Sequence, residues 1–207
     1  MTSELANLDV FHLKLPKTNI FTEDLIMNKK EILKEILSTS LYLLGVLLVT
    51  FVLVKFVVQR TEILSGSMEP TLYKGESYLV DKITYRFKDP ERFDIITFKY
   101  LYAEKTYYVK RIIGLPGETV YIDEYGIIYI NDEPLVENYG NATIEKAGLA
   151  ANKIKLGDDE YFVMGDNRND SQDSRYPNVG PVKRDQILGR LWVQIWPLNR
   201  LRLMKDK

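Results

Sequence analysis

Hydrophobic positions along the chain follow two different rules. From Ile36 to Val54 they form an unbroken block: 19 consecutive residues carry no charge, between Glu35 and Lys55. Leu43-Leu44, Leu47-Leu48-Val49 and Phe51-Val52-Leu53-Val54 cover every face of a helix. A helix that packs in a soluble core keeps a polar stripe instead. At 1.5 Å per residue the run spans about 28 Å, the thickness of a bilayer's hydrocarbon core. A cleavable leader has a shorter apolar part, about 7–15 residues, followed by small residues. Here Lys55-Phe56-Val57-Val58-Gln59-Arg60 follows. The pattern predicts a permanent transmembrane anchor over 36–58, preceded by a tail at 1–35 whose first 28 residues show no strong periodicity.

Beyond Thr61 the rule changes to short runs rich in Tyr, Val, Ile and Phe, the pattern of strands. Such runs are Glu76–Thr84, Phe93–Lys99, Thr106–Gly114, Tyr161–Gly165 and Ile187–Trp196. Thr119–Ile122 and Ile127–Ile130 flank Asp123-Glu124-Tyr125-Gly126, a hairpin with glycine available for a left-handed turn position. No long amphipathic helical period interrupts them. Residues 138–155 are the least β-like part and read as a surface subdomain or loop. They contain Asn141-Ala142-Thr143, a match to a glycosylation sequon too short to assign anything. Residues 61–207 are thus expected to form one mainly β, antiparallel domain, long enough for a single core.

Composition narrows the chemistry. Among 207 residues, 28 Lys plus Arg balance 29 Asp plus Glu, and a net charge of −1 gives no basic surface for nucleic acid. The absence of cysteine excludes disulfides, thiolate metal sites and cysteine nucleophiles. The single histidine, His12, lies on the far side of the predicted anchor, so a base in the β domain must be Lys, Asp, Glu or Tyr.

Three patches stand out in that domain. They are Ser65-Gly66-Ser67-Met68-Glu69-Pro70-Thr71-Leu72, Tyr108-Val109-Lys110-Arg111-Ile112-Ile113-Gly114-Leu115-Pro116-Gly117-Glu118, and Gly165-Asp166-Asn167-Arg168-Asn169-Asp170-Ser171-Gln172-Asp173-Ser174-Arg175. Each alone has an ordinary explanation: a turn, two charges on a strand, a polar loop whose carboxylates pair with its arginines. Together, in this order after an anchor, they resemble the type I (leader) signal peptidases. Arg92-Phe93-Asp94-Ile95-Ile96 is also similar to the family's Arg-Gly-Asp-Ile-Val box, with Phe93 in the glycine's place. Asn169-Asp170 stands where Asp-Asn is commoner.

The resemblance implies an all-β peptidase domain of antiparallel sheets, with no cofactor and no metal. Ser67 would be the nucleophile and Lys110 its general base. The oxyanion donors would be the Ser67 backbone N–H and the Ser65 hydroxyl. Ser171 would orient the lysine amine, Asp173 and Arg175 would brace their loop, and Asp166 and Arg111 would support the site. The residues themselves suit these roles. A serine hydroxyl needs a neighbouring base, and a lysine serves only when neutral, which burial among apolar groups promotes. Strand alternation puts Tyr108 and Ile112 on the face of Lys110 and turns Arg111 away. Carboxylates touching Lys110 would raise its pKa, so they are expected to face the arginines.

Ser67 lies 13 residues beyond Val54, close to the membrane surface. The expected partners are the lipid bilayer and precursors bearing signal peptides, cut after small residues at the first and third positions before the scissile bond. The peptide would lie extended beside a strand. Lys29, Lys30, Lys34, Lys14 and Lys17 outweigh Lys55, Arg60 and Lys74, which places the N-terminus in the cytoplasm and the β domain outside. Two other readings compete. A self-cleaving repressor-type Ser-Lys protease fits neither the anchor nor the Ser-Met-Glu-Pro-Thr-Leu box, and a non-catalytic relative would lack the serine or the lysine.

Overall fold

The computed structural model describes residues 29–103 and 106–204. The expected tail at 1–28, with His12, lies outside the described residues. The chain divides after Val49 into a helical unit and a β unit.

Helix α1 runs Lys29–Val52 and none of its side chains is buried. With a π-helical turn at Leu53–Val57 it is long and apolar enough to cross a membrane. The helix starts before the uncharged run, because Lys29-Lys30-Glu31 are good helix formers at a polar end. The anchor predicted to reach residue 58 stops as a helix at Val57, since Val58 already pairs with Asp81 in a sheet.

The β unit carries strands β1 Val58–Glu62, β2 Ser77–Asp81, β3 Ile95–Lys99, β4 Tyr107–Gly114, β5 Thr119–Ile122, β6 Ile128–Ile130, β7 Glu133–Pro134, β8 Ile154–Lys155, β9 Glu160–Met164, β10 Val182–Lys183, β11 Ile187–Trp196 and β12 Arg202–Leu203. The larger sheet has the order β1-β2-β11-β3-β4-β9-β10 with β12 beside β11; the smaller is β7-β6-β5-β8. Every pairing is antiparallel. The chain is mainly β, as its alternating runs predict.

Strand β4 carries the site. Tyr108 and Ile112 pack into one core cluster with Ile96, Phe98 and Val163. The alternate residues Val109 and Ile113 pack into two others. Lys110 and Arg111 therefore leave the strand on opposite faces. Strand β3 pairs along one edge of β4 from Arg111 to Tyr107, but β9 pairs along the other only from Arg111 onward. The second edge of β4 is thus open from Tyr107 to Lys110 among the described residues.

Phe93, in the glycine's place, makes the turn into β3 with φ at 74°. That left-handed conformation costs a side chain roughly 1–2 kcal/mol. Its backbone is held on both sides: Phe93 N–H donates to Ile112 O at 2.9 Å, and Arg111 Nη1 donates to Phe93 O at 2.9 Å. The ring meets Tyr139 with centroids 5.0 Å apart. Alanine here would lose the ring and keep the strain, whereas glycine would lose both. Phe93→Gly is therefore expected to unfold at higher denaturant than Phe93→Ala, by about 1 kcal/mol. Equal midpoints would remove strain at this turn.

Candidate active site

The turn after β1 presents Ser67, 8% exposed, where Leu72 N–H bonds back to Met68 O at 2.9 Å and Glu69 N–H to Gly66 O at 3.0 Å. Lys110, 4% exposed, reaches this turn from β4. Its Nζ is 2.7 Å from Ser67 Oγ and donates also to Val109 O at 3.1 Å. The Tyr108 ring lies on the same face, with Nζ 5.4 Å from its centroid. Burial pulls the Lys110 ammonium down from 10.5 to about 8, against Asp173 and Asp166, whose charges raise it, and with help from the Arg175 guanidinium. Desolvation wins because neither carboxylate bonds the amine directly. A hydroxyl and a readily deprotonated amine in hydrogen-bond contact can pass a proton between them.

Both carboxylates are taken by arginines, as predicted. Asp166, fully buried, receives Arg111 Nε at 2.8 Å and Nη2 at 2.6 Å, and the Thr71 hydroxyl at 2.5 Å. The guanidinium of Arg111 also stacks over Tyr139, 3.7 Å from the ring centroid. Asp173 receives Arg175 Nε and Nη2, each at 2.8 Å. Such bidentate, desolvated pairs are rigid, and removing one partner strands a buried charge.

Ser171 differs from its expected role of orienting the amine. Its hydroxyl donates to Asp173 Oδ2 at 2.7 Å, and the hydrogen bonds of Lys110 go to Ser67 and Val109. The Ser171 proton goes to a buried carboxylate, a strong acceptor, while no hydrogen bond joins its oxygen to the Lys110 amine. Ser171 still sits against the turn. A Cβ on Gly165 would collide with Ser171 Oγ and Ser67 O, so only glycine lets the two loops approach this closely. Ser65 Oγ donates to Ser67 Oγ at 3.3 Å.

Residues outside the expected set also hold the turn. Thr71 links it to Asp166, and Arg202 from β12 donates to Thr71 O at 2.6 Å. Asn167 N–H bonds Ser67 O at 3.1 Å, and its side-chain amide bonds Gly66 O at 3.2 Å. Thr71 and Asn167 lie within sequence patches already singled out. Nothing local to Tyr139 or Arg202 signals their contacts.

A cavity of about 380 Å³ opens over Ser67 and Lys110. It is lined by Glu62–Ser65, Thr106, the unpaired edge Tyr107–Lys110, Asp170 and Gln172. Among the described residues no group of His, Cys, Asp or Glu is arranged to hold a metal ion.

The family model described as signal peptidase, peptidase S26, matches residues 33–196. A probable signal peptidase I-2 from Synechocystis sp. is 42% identical over 156 residues, 73% of this chain and 69% of its own. A signal peptidase I from Leptolyngbya laminosa is 41% identical over 153 residues, 70% of this chain and 72% of its own. A crystal structure of a signal peptidase I from Enterococcus faecalis shares 36% identity, with a TM-score of 0.40 over 50% of this chain and 97% of that one. The family match takes in α1 from residue 33, the Ser67 turn, β4 and the loop after β9, and on that extent this chain belongs to the signal peptidases of peptidase family S26.

Proposed function

We propose that the protein is a membrane-anchored serine endopeptidase that removes signal peptides from secreted precursors through a Ser67–Lys110 dyad. The observation that carries this reading is the 2.7 Å contact between Lys110 Nζ and Ser67 Oγ in a buried setting that lowers the lysine pKa. With Lys110 neutral, the contact reverses, and Ser67 Oγ–H donates into the amine lone pair. As Oγ attacks the scissile carbonyl carbon, Lys110 takes the proton. The tetrahedral oxyanion is met by Ser67 N–H and the Ser65 hydroxyl. Lys110 then gives its proton to the departing amine, which leaves an acyl ester on Ser67. A water deprotonated by the same amine hydrolyses that ester. Arg111–Asp166 and Arg175–Asp173 hold the two loops, with Ser171 orienting Asp173.

The unpaired edge of β4 supports an extended peptide bound as an added strand, its scissile bond brought to Ser67. Small residues at the first and third positions before that bond would face the cleft wall. The apolar α1 supports a membrane anchor, and Ser67 lies only 13 residues beyond Val54, so the reaction occurs on a chain tethered to the bilayer where a precursor's own apolar segment resides. The lysine distribution favours a cytoplasmic N-terminus and an external domain.

The test is cleavage of a secretory precursor by the purified full-length chain in detergent, read by mass across pH. Because only neutral Lys110 is a base, kcat/KM is expected to rise tenfold per pH unit below about 8 and level off above it. At pH 7 about a tenth of the molecules then carry the free amine, against roughly one in 3,000 for an unperturbed lysine. A profile still climbing at pH 10 would sink the proposed base. In sealed right-side-out vesicles, precursor supplied outside should be cut; protection of that precursor would reverse the orientation. A precursor with Phe at the position before the scissile bond should resist, and ready cleavage would remove the small-residue rule.

A further inference from the structure

The direction of a backbone N–H is set by whatever holds the carbonyl on the other side of the same peptide plane. The Gly66–Ser67 peptide is trans. Its planarity therefore points Ser67 N–H opposite to Gly66 C=O. Two donors hold that carbonyl: Glu69 N–H within the turn, at 3.0 Å, and Asn167 Nδ2 from the loop after β9, at 3.2 Å.

The amide of Asn167 is itself held in one sense. Asn141 Nδ2 donates to Asn167 Oδ1 at 3.1 Å. The polarity of Asn141 is decided by a group that cannot reverse: the Arg168 backbone N–H donates to Asn141 Oδ1 at 3.1 Å. A backbone N–H is always a donor, so the oxygen of Asn141 must face it. Its nitrogen then faces Asn167 Oδ1, which leaves Asn167 Nδ2 for Gly66 O. Two backbone bonds tie the same loops together, Asn141 N–H to Asp166 O at 3.0 Å and Asn167 N–H to Ser67 O at 3.1 Å.

We infer that Asn141 and Asn167 form a relay of fixed polarity that aims the Ser67 N–H at the oxyanion, which makes both positioning residues for the cleavage reaction. The inference rests on Ser67 being the nucleophile, as proposed above. It gives the segment 138–155 a part in the chemistry, through a side chain 74 positions from Ser67 in sequence. It also gives Asn141 an occupation within the fold, where its side-chain nitrogen is engaged with Asn167.

The experiment compares wild type, Asn167→Ala, Asn141→Ala, the double variant and Ser67→Ala on one signal-peptide substrate in detergent. Removing an oxyanion donor outright costs roughly 10²–10³ in kcat. Here the donor survives and Glu69 N–H still holds Gly66 O, so Asn167→Ala should lower kcat by roughly 10-fold to 100-fold. KM should move by less than about twofold, because the contact strengthens only in the transition state. The apparent pKa of the pH profile should not move. Affinity for a peptide aldehyde, which forms a tetrahedral adduct on Ser67, should fall in step with kcat. Asn141→Ala should lose less, roughly threefold to tenfold, and the double variant should match Asn167→Ala, since Asn141 acts only through Asn167.

Wild-type kcat in folded Asn167→Ala, multiplying losses in the double variant, or a shifted pH profile would each overturn the relay. Lower melting temperature with unchanged kcat would do the same, since it marks a purely structural role. Cleavage by Ser67→Ala would instead sink the nucleophile assignment beneath it.

Discussion

Replacing Lys110 by methionine is expected to abolish precursor cleavage while making the fold more stable at neutral pH. Loss of a general base that also serves as the acid should cost at least roughly 10⁴-fold in kcat, because both proton transfers fail together. Stability should move the other way. The lysine titrates near 8 in the fold and at about 10.5 when unfolded, so at pH 7 the folded state holds an ammonium in a place that disfavours it. A thioether of similar length fills the same space with no charge to desolvate. The gain should be on the order of 1–3 kcal/mol. It is also pH-dependent. Between about pH 8 and 10.5 the unfolded wild type binds a proton that the folded form has released, so wild-type stability rises with pH across that window. The Lys110→Met variant has no such slope, and its advantage should shrink towards pH 10.5. Denaturant melts at pH 7 and 10, beside the cleavage assay, decide the matter. Substantial turnover would remove the base assignment. A variant less stable than wild type at pH 7 would mean that Asp166 and Asp173 hold the ammonium more strongly than burial opposes it.

That opposition explains which parts of the site were legible in the sequence. The apolar environment of Lys110 is local: Tyr108 and Ile112 are two positions away on one strand, and period-two alternation shows them to any reader of the chain. The pairing of carboxylates with arginines follows from charge logic, and both pairs form. The partner of Ser171 depends on which groups the fold brings within its reach. Its hydroxyl goes to Asp173, and nothing in the order of residues reveals that outcome. Asn141 was less visible still. It sits in a stretch without periodicity and meets Asn167 only because the 138–155 segment folds over the loop after β9.

The fold shows the same division. Strands β2, β3, β4, β9 and β11 and the β5–β6 hairpin coincide with the runs of β-branched and aromatic residues, within a few positions at each end. Strand β1 was hidden, because Val58 reads as the end of the anchor and Gln59-Arg60-Thr61-Glu62 as a polar stretch after it. Its register is supplied by β2, through pairings from Val58↔Asp81 to Glu62↔Ser77. The two-residue strands β7, β8, β10 and β12 have too little sequence to carry a pattern. Long-range pairing creates them, and β12 brings Arg202 to Thr71 in doing so.

Ser65 gives the second large effect. Its hydroxyl donates to Ser67 Oγ at 3.3 Å in the free site, a long contact that an approaching substrate can replace. Once Ser67 Oγ has bonded to the scissile carbon in the tetrahedral intermediate it is a poorer acceptor, and the Ser65 proton is free to turn towards the oxyanion beside it. Ser65→Ala should then lower kcat by roughly 10²–10³, as for loss of one oxyanion donor, with KM little changed. Ser65→Thr keeps the hydroxyl and should retain most of the activity, because residue 65 is exposed and has room for a methyl. If Ser65 merely shaped the turn, the alanine variant would instead melt earlier and keep its kcat. The relay through Asn167 adds a sharper criterion. Ser65 O–H and Ser67 N–H are separate donors to one oxygen, so weakening the second should matter more when the first is absent. Ser65→Ala combined with Asn167→Ala is therefore expected to lose at least the product of the two single losses in kcat. A double variant no worse than Ser65→Ala alone would mean that the two groups do not meet at the same oxyanion.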